Sequence, residues 1–248
     1  MNTGTHSDTE PTLSALYDRY FAVLPATTPE LLDAAHELRY QIYCVEQRFE
    51  DPAQQVGGRE VDAYDSHSVH AVLIYLPTGG VVGCVRLILP QADTGISILP
   101  IRKLLNNENQ ARLDRCDPAR TAEISRYAVS RMFRRRQGEN FYADVQIGDL
   151  PIAEARRLMP HVSLGLMRGV GSLAADHGVT TVCAGMAPAL LRLLARFGLT
   201  FEPLGPLIDY HGLRQPCVAD CEALIAGMAA HHEEYYQLLH RAYRSKSR

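Results

Sequence analysis

The stretch "VHAVLIYLPTGGVVGCVRLILP", residues 69–90, constrains the fold most. Two apolar runs rich in β-branched residues flank Thr78-Gly79-Gly80, which has the chemistry of a tight turn, so the segment predicts a β-hairpin. Inside the second run stands Arg86. A lone guanidinium in an apolar strand requires a partner, because burying an uncompensated charge is costly.

The stretch "TAEISRYAVSRMFRRRQ", residues 121–137, predicts a further strand that runs into a block of arginines. Regular alternation puts Glu123, Ser125, Tyr127 and Val129 on one face and Ala122, Ile124, Arg126 and Ala128 on the other. A β-bulge between Glu123 and Arg126 would add a residue, bring both charges to one face and leave an unpaired N–H aimed into a cleft. The plainer alternative is two separate edge-strand charges, since structural ion pairs are common.

Around these strands the pattern predicts a short helix in "LSALYDRY" and a strand in "YFAVLPA". A helix follows over about residues 29–46, with Thr28 as N-cap and Pro29 in its first turn. Residues 46–68 form a long polar loop containing Asp62 and Asp65, and loops of that length in compact domains usually carry function. Further on come a helix ending at Gly178, a strand "VTTVCAGM", a helix "PALLRLLARFG", and late strands in "LTFEPLGPLI" and "LRQPCVA". One C-terminal helix over residues 221–243 completes the chain. Gly165, Gly169 and Gly171 lack phosphate-loop context and read as sites of close helix packing. The order β-α-β-β-β-α-β-α-β predicts an α/β fold: a mixed central sheet flanked by helices, an antiparallel meander first and crossover units after. Residues 1–11 are expected to be a flexible N-terminus and 12–248 a single domain.

The net charge of -3 makes the arginine block a local feature and excludes bulk nucleic-acid binding. No window approaches the length of a membrane span, and no signal pattern opens the chain, so a cytoplasmic protein is expected. Six scattered cysteines suit reduced thiols, and the Cys217/Cys221 pair lacks the second ligand pair of a zinc site. His232, Tyr236 and His240 recur at four-residue steps but read as a solvated helix face without an H-E-x-x-H pattern. No metal is expected.

Taken together, Arg39 with "YQIYCVEQRFE", then "VDAYD", "VVGCVRLILP" and "AEISRYAVS", resemble in order and spacing the acyl-homoserine-lactone (autoinducer) synthases and the N-acyl-amino-acid synthases, which are GNAT-fold acyltransferases. The segments "MAPALLRLLARFGL" and "LGPLIDYHGLRQP" look more like the PEP-CTERM/exosortase-associated acyltransferases of the same group. The resemblance covers roughly residues 35–216. It implies a GNAT-like fold with a bulged, splayed central strand against which the acyl-phosphopantetheine arm lies. It also implies a charged cluster of Arg39, Glu46, Asp62, Asp65, Arg86, Glu123 and Arg126. Phe49 stands near the family's tryptophan, in the region that closes over S-adenosylmethionine; this chain has no tryptophan, which argues against that substrate. The pyrophosphate loop Q/R-x-x-G-x-G/A finds its nearest match at Arg135, Gly138 and Asn140, with the last glycine replaced.

Within this frame Glu123 is the candidate general base, acting through a water, and the bulge N–H the candidate oxyanion donor. Arg126 and Arg86 would fix Glu123 and a carboxyl-bearing acceptor, with Asp65 and Asp62 orienting the arginines. Arg39, Glu46, Asp62, Phe49 and His211 are the candidate substrate-binding residues, although His211 reads equally as an ordinary loop histidine. Arg134, Arg135 and Arg136 are candidates for binding the donor's phosphate or docking acidic acyl carrier protein, and read otherwise as a solvated basic turn. The expected activity is transfer of a long fatty acyl group from acyl carrier protein, or acyl-CoA, to the amine of an amino acid, with no tightly bound cofactor. The alternatives are an acyl-homoserine-lactone synthase using S-adenosylmethionine and a non-catalytic carrier-protein-binding module.

Overall fold

The computed structural model describes residues 10–91, 93–133 and 150–244. In chain order the elements are α1 (Leu13–Tyr20), β1 (Phe21–Pro25), α2 (Pro29–Arg39), β2 (Ser68–Tyr75), β3 (Gly80–Ile88), α3 (Asn107–Leu113), β4 (Thr121–Val129) and α4 (Ile152–Leu158). There follow α5 (Leu164–Asp176), β5 (Thr181–Met186), α6 (Pro188–Ala195), β6 (Glu202–Pro203), β7 (Ile208–Asp209), β8 (Leu213–Asp220), α7 (Cys221–His231) and α8 (Glu233–Arg244). The strands form one mixed sheet in the order β1-β2-β3-β4-β5-β8-β6, with β7 beside β8. β1 to β4 are an antiparallel meander, β4 and β5 are parallel, and β8 returns antiparallel to β5.

Alternation along β2, β3 and β4 sorts the two faces. Ala71, Leu73, Val85, Leu87, Ala122 and Ile124 join the main core with Leu166, Val170 and Leu173 of α5. Val72, Cys84 and Ala128 point the other way, onto Ala35 of α2 and Ile42 just after it. α5 lies close because its glycines allow it. A Cβ on Gly165 would stand 1.9 Å from the Tyr17 Oη, and one on Gly169 would stand 2.8 Å from the Ala71 Cβ. Gly171 faces open space instead, so only two of the three glycines mark close packing.

The predicted helix over 29–46 spans that range, with Thr28 Oγ1 accepting from Leu31 N at 3.4 Å, but its last seven residues, Tyr40–Glu46, widen into a π-helical turn. Two expectations need correction. "LTFEPLGPLI" yields only two-residue strands, because Pro203 and Pro206 lack the N–H groups a longer ladder needs. The expected C-terminal helix is two helices, broken at His232, whose backbone is extended (φ -163, ψ 124). The His232 Nδ1 accepts from Glu234 N at 3.3 Å, in the manner of an N-cap for α8. His232 therefore does not share a helical face with Tyr236. Among the described residues no helix is long and apolar enough to cross a membrane.

Residues 93–120, to which the pattern assigns no element, contain two short 3-10 turns, Ile96–Ile98 and Pro100–Leu104, followed by α3. The Asn106 side chain caps α3 by accepting from Asn109 N at 2.9 Å. Ile96, Leu99, Ile101 and Leu113 of this segment build a second core with Ile88, Cys183 and Leu204.

Candidate functional site

β4 is bulged where the charge spacing requires it. Cys84 pairs with Ala128 and Arg86 with Ser125, so Arg126 and Tyr127 together oppose the single residue between them on β3. Arg126 takes φ 48, a left-handed backbone that a non-glycine residue adopts only at a cost. The extra residue turns the Arg126 guanidinium toward the α2 side with Ser125 and Glu123, while Tyr127 points the opposite way and donates its hydroxyl to the Ser163 carbonyl.

Just before the bulge the sheet opens on the β5 side. The parallel ladder between β4 and β5 holds only at Thr121↔Thr181, Ala122↔Val182 and Glu123↔Cys183. Beyond that point residues 125–129 and 184–186 line opposite walls of a cavity of about 1250 Å³. One end is polar, lined by Asp62, Tyr64, Arg86, Lys103, Glu123, Phe49, His211 and Arg214. The other is largely apolar, lined by Phe133, Met159, Met186, Leu190, Leu193 and Phe197. Arg192 of α6 and Arg196 just past its end are exposed and stand at its rim.

Three arginines interlock beneath the polar end. Arg39, fully buried, donates to Glu60 at 2.5 Å and to both oxygens of Asp65 at 2.7 and 2.9 Å. Arg86 donates to both oxygens of Asp62 at 2.6 and 3.0 Å, to Asp65 at 3.0 Å and to the Ser125 hydroxyl at 2.9 Å. Arg126 reaches Glu60 at 2.7 Å and Glu50 and Asp62 at 3.1 Å, and lies over the Tyr43 ring at 5.2 Å. Burial alone would raise the carboxyl groups of Glu60, Asp62 and Asp65. Their arginine partners, and for Asp65 also His70, outweigh it and hold all three below the usual carboxylate range. His36, Asp65 and His70 come within 4.8 Å of one another. With Arg39 Nη1 already 3.3 Å from the His70 Nε2, a cation placed there would face a fixed positive charge.

Glu123 is arranged differently. Its Oε2 accepts from the Ile101 backbone N–H at 2.7 Å, and neither Arg86 nor Arg126 is bonded to it, contrary to the expectation that they fix it directly. Burial pushes its carboxyl up to about 8, against the opposing pull of the Ile101 N–H and the nearby guanidiniums. The site thus holds carboxylates in the network that are ionised at neutral pH and one carboxyl poised to exchange a proton near neutrality.

The expected residues Arg39, Asp62, Asp65, Arg86 and Arg126 meet in this network, and Phe49 and His211 meet at the cavity mouth with ring centroids 5.2 Å apart. Glu46, at the end of the π-helical turn, does not line the cavity. Arg134, Arg135 and Arg136 lie outside the described residues. Sequence reasoning missed Glu50, Glu60 and His70. The signal for Glu60 was the charge balance itself: three guanidiniums on buried elements need more carboxylates than Asp62 and Asp65 provide. Among the described residues the non-glycine positions with left-handed backbone are Arg48, Arg126 and His211, all at or beside the cavity wall, and strain of this kind gathers at functional sites.

Residues 38–143 match the family model of the acetyltransferase (GNAT) domain. No curated protein sequence matches the chain. Among solved structures, the acyl-homoserine-lactone synthase LasI superposes with a TM-score of 0.58 at 19% identity, over 84% of this chain and 96% of its own. BjaI, a CoA-dependent acyl-homoserine lactone synthase bound to S-adenosylmethionine and isopentyl-CoA, gives 0.53 at 21%, over 89% and 87%. FeeM, an N-acyl amino acid synthase from uncultured soil microbes, gives 0.52 at 15%, over 85% and 96%. The likeness establishes a GNAT-like fold.

Proposed function

We propose that this chain is an N-acyltransferase that moves a long fatty acyl group from a phosphopantetheine thioester to the amine of an amino acid. One observation carries the reading: a buried, proton-exchanging carboxyl, Glu123, at the fork where β4 leaves β5, with an apolar cavity running away from it. The thioester arm would lie along the opened edge of β4, with the acyl chain beside Met186, Leu190, Leu193 and Phe197. The amine would approach from the polar end.

In the transfer the amine nitrogen attacks the thioester carbonyl carbon. The C–N bond forms, the C–S bond breaks, one amine proton passes to Glu123 directly or through water, and Glu123 returns that proton to the departing thiolate, which leaves as the thiol. A backbone N–H at the bulge would meet the oxyanion. The arginine network holds the bulge in place, since Arg126 is tied to Glu60, and Glu60 to Arg39. Arg192 and Arg196 give the rim a positive charge suited to a phosphate or to an acidic carrier protein.

The fold is shared with synthases that differ in donor and acceptor, so the assay must separate them. Thiol release is followed with acyl carrier protein and CoA thioesters of graded length against the amino acids, and the product is read by mass spectrometry. An N-acyl amino acid is expected, most rapidly from the carrier-protein donor. A lactone formed only when S-adenosylmethionine is added would instead make the chain an autoinducer synthase. Release with no pair would sink the enzymatic reading and leave a carrier-binding module.

A further inference from the structure

Arg86 and Arg126 sit among Glu50, Glu60, Asp62 and Asp65, so a carboxylate arriving from the acceptor would meet like charge beside them. Two other cations line the polar end of the cavity without a close ion pair to a carboxylate among the described residues: Arg214, which feels Asp209 only at longer range, and Lys103, which feels Glu123 likewise. Arg214 is the second residue of β8, just after a tight turn in which His211 (φ 52) and Gly212 (φ 85) both have left-handed backbones and Tyr210 N donates to Gly212 O at 3.0 Å. Its guanidinium lies 5.8 Å above the Phe49 ring, and its one described hydrogen bond goes from Nη1 to the Leu213 carbonyl at 3.0 Å. The planar fork is thus oriented by stacking while most of its donors remain unspent. Lys103 is steered by donating to the Tyr64 hydroxyl at 2.8 Å.

Resting on the reading of the chain as an acyltransferase, we infer that Arg214 is the anchor for the acceptor's carboxylate. Lys103 supplies a second positive charge, so the acceptor class is amino acids with a free carboxylate rather than simple amines. Partial burial disfavours the Arg214 cation by more than Tyr43 and Asp209 favour it, and an incoming anion relieves that cost. The same anchor leaves the α-amine one carbon from the held carboxylate, at the end of the cavity that contains Glu123.

Binding of an N-dodecanoyl amino acid and of its methyl ester, measured calorimetrically, tests this without requiring turnover. Wild-type protein is expected to bind the acid more tightly than the ester. Arg214→Gln is expected to weaken the acid by about 10- to 100-fold and the ester by less than about 3-fold, within the usual scatter of a surface change. Arg214→Lys should recover part of the preference and serves as the folding control. Equal affinity for acid and ester in the wild type, or an unchanged ratio in Arg214→Gln, overturns the anchor, as does failure of either ligand to bind. Thiol release assayed in parallel separates the two ideas: transfer to amines regardless of a carboxylate removes the anchor and leaves the transferase standing.

Discussion

Burial lifts the Glu123 carboxyl to about 8 from the usual 4.5, and the direction of that shift sets opposite demands on stability and turnover. The folded protein holds the proton more tightly than the unfolded chain, so this group's contribution to stability is complete below about pH 4.5 and is lost as pH rises through about 8. Turnover needs the ionised form and should climb through the same upper range. Glu123→Gln is therefore expected to lower kcat by about 10²- to 10⁴-fold while melting above the wild type at pH 9 and level with it at pH 4.5. Equal melting temperatures at pH 9 would argue that Glu123 is not buried in its charged form. Glu60, Asp62 and Asp65 behave in the opposite sense: their depressed values add stability above their unfolded pKa values, near 4, that is withdrawn on acidification. Which charges would be buried was legible because a lone Arg86 in an apolar strand demands partners. Its partners Asp62 and Asp65 were legible as well, but the further carboxylates that reach Arg39 and Arg126 were not, because Glu50 and Glu60 lie in a loop whose path no periodicity reveals.

At the scale of the element, β4 derives its character from one residue inserted into its register. Arg126 bears both the left-handed backbone and the ion pairs to Glu60, and two substitutions separate these. Arg126→Ala and Arg126→Gly lose the same ion pairs, but glycine tolerates φ 48, so the glycine variant should be the more stable by about 1 kcal/mol in urea denaturation. An alanine variant equal to it or better would mean that the bulge relaxes once the guanidinium is gone. On α5, Gly165→Ala forces a methyl group into the space of the Tyr17 hydroxyl and should cost about 1–3 kcal/mol, measured by the same method. The bulge could be inferred beforehand because Glu123 and Arg126, three apart, cannot share a face of a regular strand. The 3-10 turns before α3 could not be inferred. Their apolar residues follow neither a helical nor a strand period, and so the Ile101 N–H that holds Glu123 had no signature in the sequence.

Across the whole molecule, a meander of strands and a set of later crossovers meet along a cavity whose far half is apolar. Each methylene seated there contributes about 0.8 kcal/mol, so chain length should register strongly in kcat/KM. Leu193→Trp, filling the wall contributed by α6, is expected to shift the preferred acyl chain several carbons shorter without changing the preferred acceptor. An unchanged length profile would place the chain elsewhere. The α/β order and the mixed sheet followed from hydrophobic patterning and turn chemistry alone. The opening between β4 and β5 did not follow from patterning; the splayed central strand was implied only by the family resemblance.

That opening has a mechanical consequence. The meander and the β5–β8 half of the sheet are joined by a seam of three residue pairs, Thr121↔Thr181 to Glu123↔Cys183, where neighbouring ladders in the meander run five or more. A rod lying in the fork would touch both halves at once and act as a rivet across the seam that joins them.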